Sequence, residues 1–401
     1  MAQRNEIFVS NIASLQVVAN DDWLSPLPVV TLDGLKRDET ITISFDELSH
    51  LNHRYSYVIN HCEADWSPSQ NLIESDYVDG FASGNVIDDY EQSINTNTQY
   101  THYKLIIPND KCSPKISGNY TITVVDEDQD NAQVLKACFM VTDQSMKCSM
   151  TQTSNTDIDV NKSHQQVGMK LNFGTNRVIS PTTQIKTVVL QNGSWINAVN
   201  NPKPQYIMSD GMVWDHNQNL IFSAGNEYRK FETLDPTHTT MGVERVGWDG
   251  SSYHAWIFTD EPRPNYLYDE DANGAFCIRN SDNVDNDTKS EYILTHFSLK
   301  TARQQGDVYI NGSFTQDSFD DKFKMSWNEK DGLYEAVIPL KQGYYNYKYL
   351  LRNPDGSITL LPSEGNFYQT ENSYQFLVYY RGQGERTDRL VNYVNLSCRQ
   401  P

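Results

Sequence analysis

Apolar and polar residues alternate with a period of two along most of the chain. Ile41-Thr42-Ile43-Ser44-Phe45, Tyr55-Ser56-Tyr57-Val58-Ile59 and Tyr120-Thr121-Ile122-Thr123-Val124-Val125 are clear instances. Such alternation puts every second side chain on one face, the mark of a half-buried strand. Residues 103–107 form a further run that ends at Pro108, and 137–141 form the next. No long window carries apolar residues at i, i+3, i+4 and i+7, so long helices are not expected. Short strands about 8 to 15 residues apart, with turn residues between them, predict an all-β chain of tandem immunoglobulin-like or early-set β-sandwiches.

The same pattern divides the chain. A first sandwich is expected over residues 1–146, a middle β-rich unit over 147–302 and a third sandwich over 303–401. Ser154-Asn155-Thr156-Asp157 reads as a turn between sheets. The middle unit is expected to carry strands at 165–172, 185–191, 205–214 and 292–299. Its acidic segment 280–290 reads as a hairpin loop. The third unit has a strand from Asp307, a second through Leu333 to Leu340, and a Gln342-Gly343 turn into Tyr344–Leu351.

Composition agrees. Aromatic residues make up 11% of the 401, and 24 are tyrosine, a residue that fits a pleated, half-buried surface. The formal net charge of -20 argues against nucleic acid and anionic lipid as partners. It fits solubility, steering to a basic partner or Ca²⁺ capture by acidic loops such as Asp126-Glu127-Asp128-Gln129-Asp130. That loop lacks the spacing of a known Ca²⁺ motif, and no metal or cofactor is expected. The six cysteines (62, 112, 138, 148, 277 and 398) form no C-x-x-C pair. They read as single buried thiols, or as one or two disulfides in an oxidising compartment, with pairing open. No run of 18 apolar residues offers a membrane-spanning helix. The start Met1-Ala2-Gln3 fits either a cytoplasmic protein or a mature form lacking its signal peptide.

The third unit resembles early-set sandwiches related to glycogen-binding modules. Val308, Gly312, Phe314, Trp327, Leu340, Gly343, Tyr345, Tyr347, Lys348 and Asp355-Gly356 carry that likeness. It implies the fold more strongly than sugar binding, because period-two aromatics read as core.

A wider resemblance spans nearly the whole chain. It rests on Tyr55–Trp66 followed by Glu74-Ser75-Asp76-Tyr77-Val78-Asp79-Gly80-Phe81. It continues through Ile87–Thr96, Tyr100–Tyr103, Ser117–Tyr120 and Val378-Tyr379-Tyr380-Arg381 with Arg386–Val391 behind it. Together these segments resemble the plug protein family of the Bacteroidetes type IX secretion system. The resemblance implies a periplasmic protein that docks on the outer-membrane translocon β-barrel and closes it when no cargo passes. It implies no membrane insertion and a monomer when free.

Catalytic motifs are absent from the sequence. No G-x-S-x-G, H-E-x-x-H or Walker A motif is present. Nine histidines are scattered. His50 and His53 have metal-ligand spacing only on a helix. His61-Cys62-Glu63-Ala64-Asp65 reads as a strand end, with Trp66 packing and Asp65 opening a turn. The interface candidates are Trp66, Tyr77, Phe81, Tyr90, Tyr379, Tyr380 and Arg381, since Tyr, Trp and Arg are enriched at binding hot spots. The structural alternative packs Tyr77, Phe81 and Tyr90 into a self-supporting loop. It also puts one of Tyr379 and Tyr380 in the core and one on the surface, with Arg381 paired to an acid such as Asp388. A glycan-binding protein, with Trp or Tyr together on one flat face of the third unit, is the rival function. An enzyme with a spatial carboxylate pair is the third.

Overall fold

The computed structural model of the chain describes residues 4–51 and 53–397. Met1, Ala2, Gln3 and Cys398 lie outside them. The fold is nearly all β, in tandem sandwiches. In the first unit one sheet orders Glu6–Ile7, Ala132–Thr142, Gly118–Asp126, Tyr55–Cys62 and Asn85–Val86, with Val29–Thr31 added in parallel to Ala132–Thr142. The facing sheet orders Ile12–Ala19, Ile41–Glu47, Thr101–Ile107 and Asp89–Gln92. The alternation read from sequence sets the inward face: Tyr55, Tyr57 and Ile59 meet Ile41, Ile43, Phe45, Tyr103 and Leu105 in one core.

The middle sandwich pairs Lys147–Thr153, His164–Asn172, Gly211–Trp214 and Tyr206–Ile207, with Ile221–Ser223 also on His164–Asn172. Its facing sheet orders Ser194–Asn200, Ile185–Gln191, Ser373–Tyr380 and Arg389–Ser397. The third sandwich has Arg229–Thr233, Gly343–Arg352, Phe276–Ile278, Asp307–Asn311 and Ile358–Leu360 on one side. Val243–Trp248, Tyr253–Ile257, Tyr292–Leu299, Leu333–Lys341 and Ser326–Asn328 form the other. Tyr345, Tyr347 and Tyr349 point into its core beside Phe231 and Phe297, where period-two aromatics belong.

The division at 302/303 does not follow these sheets. Tyr292–Leu299 pairs with Leu333–Lys341, which assigns it to the third sandwich. Ser373–Tyr380 pairs with Ile185–Gln191 and completes the middle one. The third sandwich is thus inserted within the middle one. Alternation identifies a strand but not its partner, and these partners are distant in sequence. Three local readings change as well. Residues 205–214 are a hairpin, not one strand. The 154–157 turn joins two strands of the same sheet. The acidic segment 280–290 holds the short helix Asn286–Lys289 beside the first unit, where Thr288 O accepts from Ile94 N.

Cys62, Cys112, Cys138, Cys148 and Cys277 are free thiols. Burial raises the pKa of each, to about 11 for Cys62 and Cys112 and to about 12 for Cys138 and Cys148. The thiolate is the nucleophile, so native protein at pH 8 is expected to resist iodoacetamide at all five positions and to react fully once unfolded. Mass spectrometry of labelled peptides reads this; rapid labelling of native protein contradicts it.

Candidate docking surfaces and the junctions between sandwiches

The junction between the first and middle sandwiches is apolar. In Ala132–Thr142, Ala137, Phe139 and Val141 face the first core, while Cys138 and Met140 face outward. That outer face meets Val188, Leu190, Leu377, Tyr379 and Leu390 of the middle sandwich. The strand Ser373–Tyr380 is therefore covered on both faces, and every residue of it is buried. Trp66 closes the junction edge-on to Trp195, with ring centroids 5.8 Å apart. Its backbone is left-handed, at φ 65°, a rare conformation for a bulky residue. Asp65 opens the turn before it, its Oδ1 accepting from Ser67 N at 3.0 Å.

Polar groups seal the rim. Arg381 donates to Asp388 Oδ1 at 2.9 Å and pairs with Glu63 of the first unit. Asp388 Oδ2 accepts from Lys186 Nζ at 2.8 Å and Ala64 N at 3.1 Å. Burial pushes the Asp388 carboxyl up, but these donors outweigh it and hold the group below the usual carboxylate range.

These contacts relocate most interface candidates. Trp66 and Tyr379 lie inside the first–middle junction. Tyr380 turns the other way into the middle core, its hydroxyl donating to Arg177 O at 2.8 Å. Neither tyrosine is a surface residue, because that strand is covered on both sides. Arg381 pairs with Asp388, as the structural alternative holds. Tyr77 packs in the first core and donates to Ile59 O at 3.4 Å. Two candidates remain on the surface. Phe81 is 70% exposed and Tyr90 45% exposed; Tyr90 lies on the edge strand Asp89–Gln92, stacked on Tyr103 at 5.5 Å.

The junction between the first and third sandwiches is polar, and sequence reading missed it. Asp46 and Lys341 are both almost wholly buried and meet at 2.7 Å. Asp46 Oδ2 also accepts from Tyr292 OH at 2.7 Å, and Oδ1 meets His102 Nδ1 at 2.6 Å. Lys341 Nζ donates to Asp287 O at 2.6 Å and lies 4.1 Å from the centre of the Tyr100 ring. Burial opposes ionisation of Asp46, but Lys341 and His102 hold its carboxyl below the usual range. The alternating strand 41–47 does carry this signal: Asp46 is an acid within a buried strand. Its partner lies 295 residues away.

The middle and third sandwiches are tied by the two segments that cross between them. Phe367 N donates to Gly225 O at 2.8 Å, and Asn226 Nδ2 to Glu364 O at 2.9 Å.

Metal and catalytic geometry is sparse. Among the described residues one group has metal-ligand proximity, His53 with Asp126 and Asp128, whose ligand atoms lie within 4.8 Å of one another. Asp126 Oδ1 accepts from Asp128 N, and Asp128 Oδ2 from Arg54 N, so these carboxylates close the hairpin. His50 Nε2 meets Ser93 Oγ at 2.9 Å instead of joining His53. The buried carboxylates Asp260 and Glu364 are both bound by Arg229, at 2.7 and 3.1 Å, and Tyr347 and Tyr349 donate to Asp260. They form a closed ion-pair cluster inside the third sandwich.

Trp256 stacks with His296 at 4.5 Å, and the Arg245 guanidinium lies 3.4 Å from its ring centre. Trp248 and Tyr253 are tilted by 52° to each other.

The profile of the family described as "Type 9 secretion system plug protein 1st domain" matches residues 12–143, the span of the first sandwich core. The chain belongs to the type IX secretion system plug protein family. A crystal structure of a hypothetical protein from Parabacteroides merdae ATCC 43184 is 39% identical with a TM-score of 0.94, over 99% of this chain and 100% of that one. An enterococcal surface protein fragment aligns at 8% identity with a TM-score of 0.18 and carries no argument. No curated protein matches. Plug-family membership ties the chain to type IX secretion. No helix among the described residues is long and apolar enough to cross a membrane.

Proposed function

We propose that the chain is a periplasmic plug. It docks on the outer-membrane translocon β-barrel of the type IX system and closes its periplasmic end when no cargo is passing. It does so by shape, without catalysis, metal or cofactor, and is a monomer when free. The family match carries this reading. The packing supports it: each sandwich is joined to the other two, by an apolar junction, a buried ion pair and a double crossing. A stopper for a wide aqueous barrel must not flex open, and three mutually tied sandwiches resist that.

Docking would use the surface that carries Phe81 and Tyr90. Phe81→Ala removes an exposed side chain, so stability is expected to stay within about 0.5 kcal/mol; Tyr90→Ala also loses the stack on Tyr103 and is expected to cost about 1 kcal/mol. Capture of the barrel from envelope extract is expected to fall at least tenfold in the double variant. Full capture by that variant moves the docking surface elsewhere. Failure of the unaltered protein to capture any barrel overturns the plug reading.

A further inference from the structure

All three sandwiches meet around one cleft of about 240 Å³. The first unit lines it with Gln16, Trp23 and Pro26, the middle unit with Ser194 and Trp195, and the third with the segment 271–276, Asn311 and Asp317. It is smaller than the roughly 300–1,000 Å³ of drug-sized ligand sites. A single side chain with a short stretch of backbone fits that volume; an oligosaccharide chain does not.

Two carboxyl groups stand in its wall. Asp317 accepts from Asn311 Nδ2 at 2.9 Å and from Ser194 Oγ at 3.4 Å, across the middle–third boundary. Asp271 accepts from Tyr228 N and from Asn273 N, the latter at 2.9 Å. Among the described residues neither carboxylate has a Lys, Arg or His within ion-pair distance. Lys230 is held by Asp269 and by Glu270 O. Lys348 lies 4.8 Å from the centre of the Tyr228 ring. Arg4, at the mouth, is paired with Glu6. Aromatic rings of Trp23, Trp195 and Tyr228 complete the lining. Lys348 acts on Asp317 and Lys230 on Asp271 through space, but neither touches that carboxylate. Carboxylates with no cation in direct contact, beside aromatic rings, suit an ammonium or guanidinium group, and the net charge of -20 attracts cations.

We propose that this three-way cleft binds a basic side chain, lysine or arginine, carried on a segment of a partner protein. The site goes beyond the plug reading and holds whichever protein supplies the segment.

Burial raises the Asp271 carboxyl to about 7; Glu227 adds to the rise, and Lys230 and the two backbone donors oppose it. Asp317, Tyr228 and Arg4 also line the cleft, Tyr344 and Asp269 stand beside Asp271, and Lys348 faces Tyr228 and Asp317. A cation favours the ionised form, so affinity rises with pH. The ionised fraction grows about tenfold between pH 6 and pH 8 for a group of that pKa.

The test is titration of full-length protein, at about 0.15 M salt to screen diffuse attraction, with the acetylated, amidated peptide Gly-Lys-Gly. Tryptophan fluorescence and calorimetry read binding. The expected result is saturable binding about tenfold tighter at pH 8 than at pH 6. Asp271→Asn and Asp317→Asn are each expected to weaken it at least fivefold, with the Gly-Gln-Gly peptide not binding. Two variants on opposite walls keep the test informative if one misfolds. Equal binding of the glutamine peptide, no dependence on either aspartate, or tighter binding of maltose overturns the proposal. Putrescine binding more tightly than the lysine peptide overturns the assignment to a protein segment.

Discussion

Asp46→Ala is expected to destabilise the protein by about 3–5 kcal/mol, because it leaves Lys341 charged and buried without a counter-ion. Asp46 accepts from Lys341, Tyr292 and His102 at once, so all three donors lose a partner. The sign reverses in a matched double variant. Replacing both Asp46 and Lys341 by apolar residues of similar volume removes the charge and its orphan together, and such swaps are often near neutral. Asp46→Leu with Lys341→Met is therefore expected to be far more stable than Asp46→Ala alone. The pH dependence follows from the depressed carboxyl. A group whose folded pKa is lowered contributes stability that is present above its unfolded pKa, near 3.9. That contribution is lost as pH falls from about 4 toward the folded value. Urea denaturation at pH 7 and at pH 3 reads both effects. A single variant within 1 kcal/mol of the parent at pH 7 contradicts the buried pair.

Trp66 gives the second large effect. Trp66→Ala removes a buried indole from the first–middle junction and is expected to cost about 3–5 kcal/mol. Its left-handed backbone, φ 65°, adds a specific ordering. Alanine keeps the strain of that conformation, whereas glycine adopts it freely. Trp66→Gly should therefore be the more stable of the two, by up to about 1 kcal/mol. The usual order is the opposite, since glycine costs more chain entropy on folding. Thermal melts of the three proteins decide it; Trp66→Ala more stable than Trp66→Gly contradicts the strained junction.

Much of the fold is legible in the sequence where the signal is local. Period-two runs at 41–45, 55–59 and 120–125 mark strands and inward faces together. Tyr345, Tyr347 and Tyr349 are core residues because alternation puts all three on the inward face. Pairing is not local. Ser373–Tyr380 looks like a terminal strand of its own unit, yet it hydrogen-bonds to Ile185–Gln191. Trp66, Tyr77, Tyr379 and Tyr380 are buried within the chain for a related reason. Aromatic residues next to Arg mark a protein interface, and Trp66, Tyr379 and Arg381 do sit at one, but it lies between two sandwiches of this chain. Composition cannot distinguish an internal junction from an external one. The Asp46–Lys341 pair and the three-way cleft exist only once the sandwiches are packed.

As a plug, this chain would close a secretion pore. The direct measurement is outer-membrane permeability in cells lacking the protein, read by sensitivity to a large antibiotic that an intact outer membrane excludes. The expected result is leakage through the translocon that the unaltered protein reverses and that disappears when the barrel is deleted too. An outer membrane that stays impermeable without the protein contradicts it.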